Sequence, residues 1–568
     1  MINRAIISIR SAFDMGQPHA GTKWQWHDRV RAVPSHAAAV ALIAAMIAGY
    51  ASRLITPPTL WFDEAMLLVN VRDIDWSGVF RPLPLYDQVA PMGYVALLKA
   101  IFTLGGLNEA LLRLPSLLAL AGAIWLAALL PETTRTVRVV TAAVIAGSFV
   151  VARAATDAKP YTFDIACAMA LIVAFHPASR GWITSSIARF ALLACAMMLA
   201  TSFPIVAAAT CAPALMLQLR ADMASGRPLR GWAFWRLVAP IAAALSLYLI
   251  YFTAYIGPAL KLVSANHHYL TRLGFAGDGD IYPVWLAGQV NAILASHAGD
   301  IAPCVIVASG VGLASLIRAR SVYAGQFAAL AAAVIALNLA GRFPILEERF
   351  SIYLLPWVGL AVGAGVCRLS TALSDARAKG VVAAVATAAL LWPATGTISD
   401  PFHQTARRSL ARLAADPAPV FGAQPILDLY LGRGPDRARD CMLAFVGDAT
   451  NRCTAARGPH DGAFEGRATK WYLMNYIAAG LRGGATPGLD AGRLKQLTDD
   501  YVNWVAAGIV RHKRAYYLAI QAEKRFMAAL MQRLSAHGTF RLVVDERPQS
   551  PTYAHGAGRL YLFERRAR

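Results

Sequence analysis

Pro91-Met92-Gly93-Tyr94-Val95-Ala96-Leu97-Leu98-Lys99-Ala100-Ile101-Phe102-Thr103-Leu104-Gly105-Gly106 is the stretch on which the topology of the chain turns. Read as a membrane span, it would invert every connection after it. It opens on a proline, is interrupted by Lys99 and closes on two glycines, and it falls short of the ~20 apolar residues that cross ~30 Å of hydrocarbon. A short amphipathic helix lying in the membrane interface fits it better.

The rest of the chain settles the choice. Of 568 residues 57% are hydrophobic and only 15% charged, with mean hydropathy +0.46, against roughly 25% charged in soluble domains. Apolar runs at 36–55, 111–130, 137–153, 160–175, 189–203, 204–219, 237–257, 300–317, 322–341, 351–368 and 380–395 predict an α-helical polytopic membrane protein with about 11 transmembrane helices. Arginine and lysine collect before the first run (Arg4, Arg10, Lys23, Arg29, Arg31) and then in alternate connections. These carry Arg135 and Arg138, Arg180 and Arg189, Arg220 to Arg236, Arg318 and Arg320, and Arg368 to Lys379. Cytoplasmic connections collect such residues. The basic segment 1–35 is therefore expected inside, and 56–110, 154–159, 258–299, 342–350 and 396–568 outside. The first 33 residues are polar, which argues against a cleaved signal peptide. A span at 90–105 would place the arginine-rich loops outside, so the interfacial reading stands.

The chain then divides into the basic N-terminus, a membrane region at 36–395 and an external region at 396–568. In the last, strands are expected at 421–430, 539–545 and 558–565 and helices near 469–482, 490–507 and 513–536, which together describe a small soluble α/β domain. Its basic residues exceed its acids by about ten, a large share of the net +21; this suits an anionic membrane surface or phosphate-bearing lipid, and equally a solvated face. Cys441 and Cys453 both fall there, where an oxidising compartment favours a disulfide. The remaining five cysteines lie in or beside spans and read as packing residues. No paired CxxC, HExxH, P-loop or dinucleotide fingerprint is present, so zinc, nucleotide and nucleic-acid functions have no support.

Candidate chemistry gathers on the outer side. Trp61-Phe62-Asp63-Glu64-Ala65 places two adjacent acids where the chain leaves the first span. Asp87 and Gln88 precede the interfacial helix; Asp157-Ala158-Lys159-Pro160-Tyr161 forms the second external connection, with Asp164 one turn later. His267 and His268 lie in the long loop, and Glu347-Glu348-Arg349 and Tyr353 in the last short one.

Taken in order, Trp61 to Ala65, Asp87-Gln88-Val89-Ala90-Pro91-Met92-Gly93-Tyr94, Leu112-Arg113-Leu114-Pro115-Ser116 and Asp157 to Tyr161 resemble the GT-C membrane glycosyltransferases. The likeness is to the bacterial Rgt-like branch, related to the lipid A aminoarabinose transferases and the protein O-mannosyltransferases, and it covers about residues 36 to 370. It implies a GT-C fold and transfer of a sugar from a polyprenyl-phosphate donor to a lipid, glycan or protein acceptor at the outer face of a bacterial inner membrane. It also implies a catalytic acid in the first external loop, no required divalent metal, and a periplasmic tail domain. Such transfer needs a base for the acceptor hydroxyl and cations for the departing phosphate. Asp63 is the expected base, with Glu64 orienting it or holding the acceptor and Asp157 positioning a sugar hydroxyl or Lys159. Lys159 and Arg349 are the expected phosphate ligands. Tyr161, Asp87, Gln88, His267, His268 and Tyr353 complete the expected substrate-binding set.

Plainer readings accompany each of these. Asp63 and Glu64 suit the N-terminus of a helix whose dipole favours acids; Lys159 suits a snorkelling span end, and Arg349 an ion pair with Glu347 or Glu348. The Lys-Pro-Pro or His-Pro-Pro common in the related branches is replaced by Val89-Ala90-Pro91-Met92. A lipid-linked sugar flippase and an oligosaccharide ligase or polymerase are the alternative functions.

Overall fold

The computed structural model describes residues 37–55, 60, 62–84, 88–179, 181, 184–224, 232–259, 275–276, 280–345, 348–373, 376–399, 406–416, 418–422, 429–431, 499, 502–503, 505–519, 524–546 and 559–566. Each of the 11 apolar runs coincides with helix. They are α1 (Ala37–Ser52), then, past the helices α2 (Phe62–Asp73) and α3 (Met92–Gly105) of the first loop, α4 (Glu109–Ala128), α5 (Arg135–Gly147) with α6 (Phe149–Ala154), α7 (Tyr161–Ala174), α8 (Ser186–Leu199), α9 (Phe203–Ala224) and α10 (Trp232–Tyr251). After α11 (Tyr282–Ala298) come α12 (Ala302–Arg318), α13 (Val322–Leu339), α14 (Leu355–Leu369) and α15 (Ala376–Ser399). Among the described residues seven helical stretches are long and apolar enough to cross a membrane, and α1, α3, α7 and α8 are shorter apolar helices.

The bundle centres on α14, which packs against both α5 and α12. Small residues permit the close approach. Cβ atoms on Gly312 or Gly365 would collide with the carbonyls of Ala361 or Ala308, and one on Gly363 would meet the Val137 carbonyl oxygen at 2.8 Å. Between lipid-facing helices, where tails are as apolar as side chains, such backbone proximity is the main source of association.

Two departures from the expected spans have local causes. The run 137–153 is broken at Ser148, whose backbone is extended (φ −66°, ψ 126°) and whose hydroxyl accepts from Val151 N at 3.3 Å. A serine cap of this kind ends α5 and starts α6 in place of one continuous helix. The expected loop 258–299 contains α11, 17 residues long. Its first residue, Tyr282, donates to Asn338 Oδ1 (3.1 Å) at the end of α13, and His297 at its far end meets Ser351 (3.0 Å) in the connection that follows α13. These contacts tie one end of α11 to the last turn of α13 and the other to the segment that follows it. A 17-residue apolar helix escapes notice as a loop element because its composition is that of a span.

The C-terminal region forms a four-stranded sheet ordered β1 (Val420–Gly422), β2 (Arg514–Ala519), β4 (Arg559–Arg565), β3 (Gly538–Asp545), with β1 parallel to β2 and the other pairs antiparallel. Helix α16 (Arg407–Ala415) precedes β1 and α17 (Lys524–Ser535) lies between β2 and β3. The helix expected over 513–536 is thus a strand followed by a helix. All of β2 after Arg514 is buried. Tyr516 and Leu518 join a core with Leu410, Leu413, Leu67 and Leu98, whereas Ala515, Tyr517 and Ala519 join Val505, Ile509, Leu530 and Leu534. A strand covered on both faces shows no polar alternation. The strand expected over 421–430 is confined to Val420–Gly422 in the described residues, and 429–431 are helical. Residues 469–482 and the cysteine pair Cys441 and Cys453 lie outside the described residues.

Candidate active site

Helix α2 begins at the acidic pair, and its first turn points the two carboxylates in different directions because successive helical residues are about 100° apart. Glu64 is fully buried. Arg113 grips it with both arms, Nε to Oε1 at 2.9 Å and a terminal guanidinium nitrogen to Oε2 at 2.7 Å, and the Ala158 backbone N–H donates to Oε1 at 2.6 Å. Bidentate charge-assisted bonds of this kind fix geometry as well as contributing energy. Asp63 is half-buried beside this clamp.

The Ala158 contact brings the connection between α6 and α7 against the start of α2. Ser116 Oγ on α4 donates to the Lys159 carbonyl (2.9 Å), which holds the turn from below. Lys159 Nζ, largely buried, donates to Gln88 Oε1 at 2.9 Å, and the Gln88 amide in turn approaches Met66 Sδ on α2 at 3.5 Å. Asp157 lies 3.9 Å from Arg153 on the preceding turn and is 5% exposed. Glu64, Gln88 and Lys159, drawn from three separated segments, are thus linked, with Asp63 and Asp157 beside them in the chain. Tyr161 opens α7 next to it.

A pair of tyrosines supports the Gln88 segment. Where α10 ends, five residues, Phe252–Ile256, form a π-helical turn, a distortion often found at functional sites. It places Tyr251 and Tyr255 in a stack, 5.4 Å between centroids and 14° between planes. The Tyr251 hydroxyl accepts from Met92 N (3.0 Å), and that of Tyr255 donates to the Ala90 carbonyl (3.1 Å). Lys99, the charge that interrupts the apolar run of α3, donates to the Val71 carbonyl (2.9 Å) at the C-terminal end of α2. Its cation satisfies a helix end and ties α3 to the loop.

Asp164 belongs to a different structure. Its carboxylate accepts from Thr201 Oγ1 (2.6 Å), Ser202 N (2.8 Å) and Ser202 Oγ (2.6 Å), which joins the start of α7 to the start of α9. Tyr353 is buried, its ring edge-on to Phe343 at 5.9 Å, so its place is in the packing. Arg349 lies in the 3-10 helix Glu348–Leu354, which packs on α7. Asp87, His267 and His268 lie outside the described residues. Arg113, an arginine one turn into an apolar helix, was visible in the sequence, yet its partner was not; Tyr251, Tyr255 and Glu109 carried no signal of their own.

No family model matches the chain, and no curated protein matches it. Solved structures similar to it include the crystal structure of ArnT from Cupriavidus metallidurans bound to undecaprenyl phosphate, with TM-score 0.47 and 13% identity over 92% of this chain and 97% of that one. The same protein in the apo state gives TM-score 0.45, also at 13% identity, with the same coverage. At those values the likeness assigns neither substrate nor activity, and the functional reading rests on the residues.

Proposed function

We propose that the chain is a GT-C type glycosyltransferase that moves a sugar from a polyprenyl-phosphate donor to a hydroxyl acceptor at the outer face of a bacterial cytoplasmic membrane, with its C-terminal domain on that side. The observation that supports the reading is the Glu64–Ala158 contact, because it brings the first turn of α2, which carries Asp63, against the 157–159 turn, which carries Lys159. In the reaction the acceptor oxygen forms the new bond to the anomeric carbon as the carbon–phosphate oxygen bond breaks. The acceptor proton passes to Asp63, and the polyprenyl phosphate leaves with the bonding electron pair towards Lys159. Arg349 is the second proposed phosphate ligand. Glu64, held at both oxygens by Arg113 and at one also by the Ala158 N–H, acts by fixing the first turn of α2.

Purified protein in proteoliposomes, supplied with polyprenyl-phosphate sugars and cell-envelope acceptors, tests this through release of polyprenyl phosphate. Asp63→Asn keeps size and removes the basic oxygen, so turnover is expected to fall by about 10² to 10⁴ while donor binding persists. Lys159→Ala is expected to weaken donor-lipid binding by about ten- to a hundredfold, the worth of one charge-assisted hydrogen bond. Turnover of Asp63→Asn within a few-fold of wild type would remove Asp63 as the base.

A further inference from the structure

We propose that Tyr430, in the C-terminal domain, is a positioning residue for Asp63, so that seating of that domain sets the place of the acid. The inference rests on the reading of Asp63 as the base.

Tyr430 sits in the helical turn 429–431, between Leu429 and Leu431, which both pack into the core shared by the sheet and the first external loop. Its hydroxyl does two things at once. It donates to Glu109 Oε1 at the start of α4, and it accepts from the backbone N–H of Leu60 at 2.8 Å. A phenol has one proton and spare lone pairs, so both bonds are made together. Burial, reinforced by the neighbouring Glu109 carboxylate, raises the phenol well above its ordinary value, which keeps that proton in place.

Glu109 and Arg113 are one helical turn apart on α4. Arg113 holds Glu64 directly, and Glu109 holds Leu60 through Tyr430. Asp63 therefore lies on a short piece of chain fastened at both ends to successive turns of one helix. The lower fastening is internal to the membrane region and the upper one belongs to the C-terminal domain. Leu60 is fully buried, so removal of the hydroxyl leaves its N–H without that acceptor and the entry to α2 free to shift. Displacements of about 1 Å can cost a hundredfold in rate. Arg407 also meets Glu109, through a side chain that is 57% exposed.

Full-length protein in nanodiscs tests the pin by hydrogen–deuterium exchange of peptides spanning 59–66 and by steady-state kinetics. In Tyr430→Phe the Leu60 amide is expected to exchange about tenfold faster, the loss of one hydrogen bond. Turnover is expected to fall about ten- to a hundredfold with donor KM within about twofold. Arg407→Ala, which leaves the Tyr430 hydroxyl in place, is expected to stay within about twofold of wild type in both measurements. If Tyr430→Phe does not yield folded protein, Glu109→Ala removes the hydroxyl's acceptor together with the Arg407 pair, whose own effect Arg407→Ala measures, and is expected to give a smaller rise in the same peptides than Tyr430→Phe. Unchanged exchange at 59–66 overturns the pin. Faster exchange with unchanged turnover, a loss shared equally by turnover and KM, or an equal loss in Arg407→Ala overturns the positioning role. An active Asp63→Asn sinks the assignment of the base instead, and exchange then still decides whether Tyr430 fixes the segment.

Discussion

Where α12 and α14 cross inside the bundle, two backbones meet through Gly312 and Gly365 with no side chain between them; at the candidate site, α2, α4 and the 157–159 turn meet through a buried ion pair and its hydrogen bonds. The first contact depends on absent atoms and tolerates no added ones. The second depends on particular atoms and tolerates no loss. An apolar interior in lipid gains little from swapping hydrocarbon for hydrocarbon, so it is held by closeness. The candidate site has buried charge that must be matched, so it is held by partner choice.

Substitutions that attack each means separately would break the comparison. The largest effect is expected for Gly365→Leu, because the new side chain meets the Ala308 backbone, which cannot move without its helix; it should yield no monodisperse protein in detergent, as read by size-exclusion chromatography. A folded Gly365→Leu would mean that the α12–α14 crossing adapts. Arg113→Ala should come next, at about 3–5 kcal/mol, since it strands the buried Glu64 carboxylate. Joint replacement by Glu64→Leu and Arg113→Met should restore most of the thermal stability while activity stays low, because the 157–159 turn has lost its anchor. Equal stability of the single and joint variants would show that charge matching contributes little here.

The smallest effect sharpens the contrast with a half-buried site near the surface. Asp416 accepts from Ala418 N (3.0 Å) and the Tyr516 hydroxyl (2.7 Å) and pairs with Arg514, and these donors hold its carboxyl below the ordinary 3.8, the backbone N–H first. A depressed folded-state value contributes stability above 3.8 that is lost as pH falls through the lower value. Asp416→Asn should therefore lower the thermal midpoint slightly at pH 7, with the difference from wild type closing as pH drops below that range. A difference that persists or grows in acid would contradict the assignment. Solvent screening keeps the effect small.

Hydropathy and arginine placement made the spans readable because both are local properties of the chain. Residues 90–106 illustrate this: Pro91, Lys99 and the two glycines set α3 apart from a span, and the structure assigns Lys99 the specific task of closing α2. Local signals failed where burial erased contrast. Strand β2 has cover on both faces and reads like the helix that follows it, and α11, expected as loop, is part of one apolar helical stretch with α12, Tyr282–Arg318.

The sequence by itself determined that this is a helical membrane chain, where its apolar runs fall, and that an acidic pair lies in the connection after the first of them. Only the tertiary structure decided that Glu64 belongs to Arg113 and Ala158, that Lys159 reaches Gln88, and that Tyr430 reaches back to Leu60. The partners are 49, 94, 71 and 370 residues apart. Helical periodicity repeats within a few residues, so a short window reveals it. The pairing of a buried charge is chosen by whichever group the completed fold brings within about 3 Å, and no local pattern records that distance.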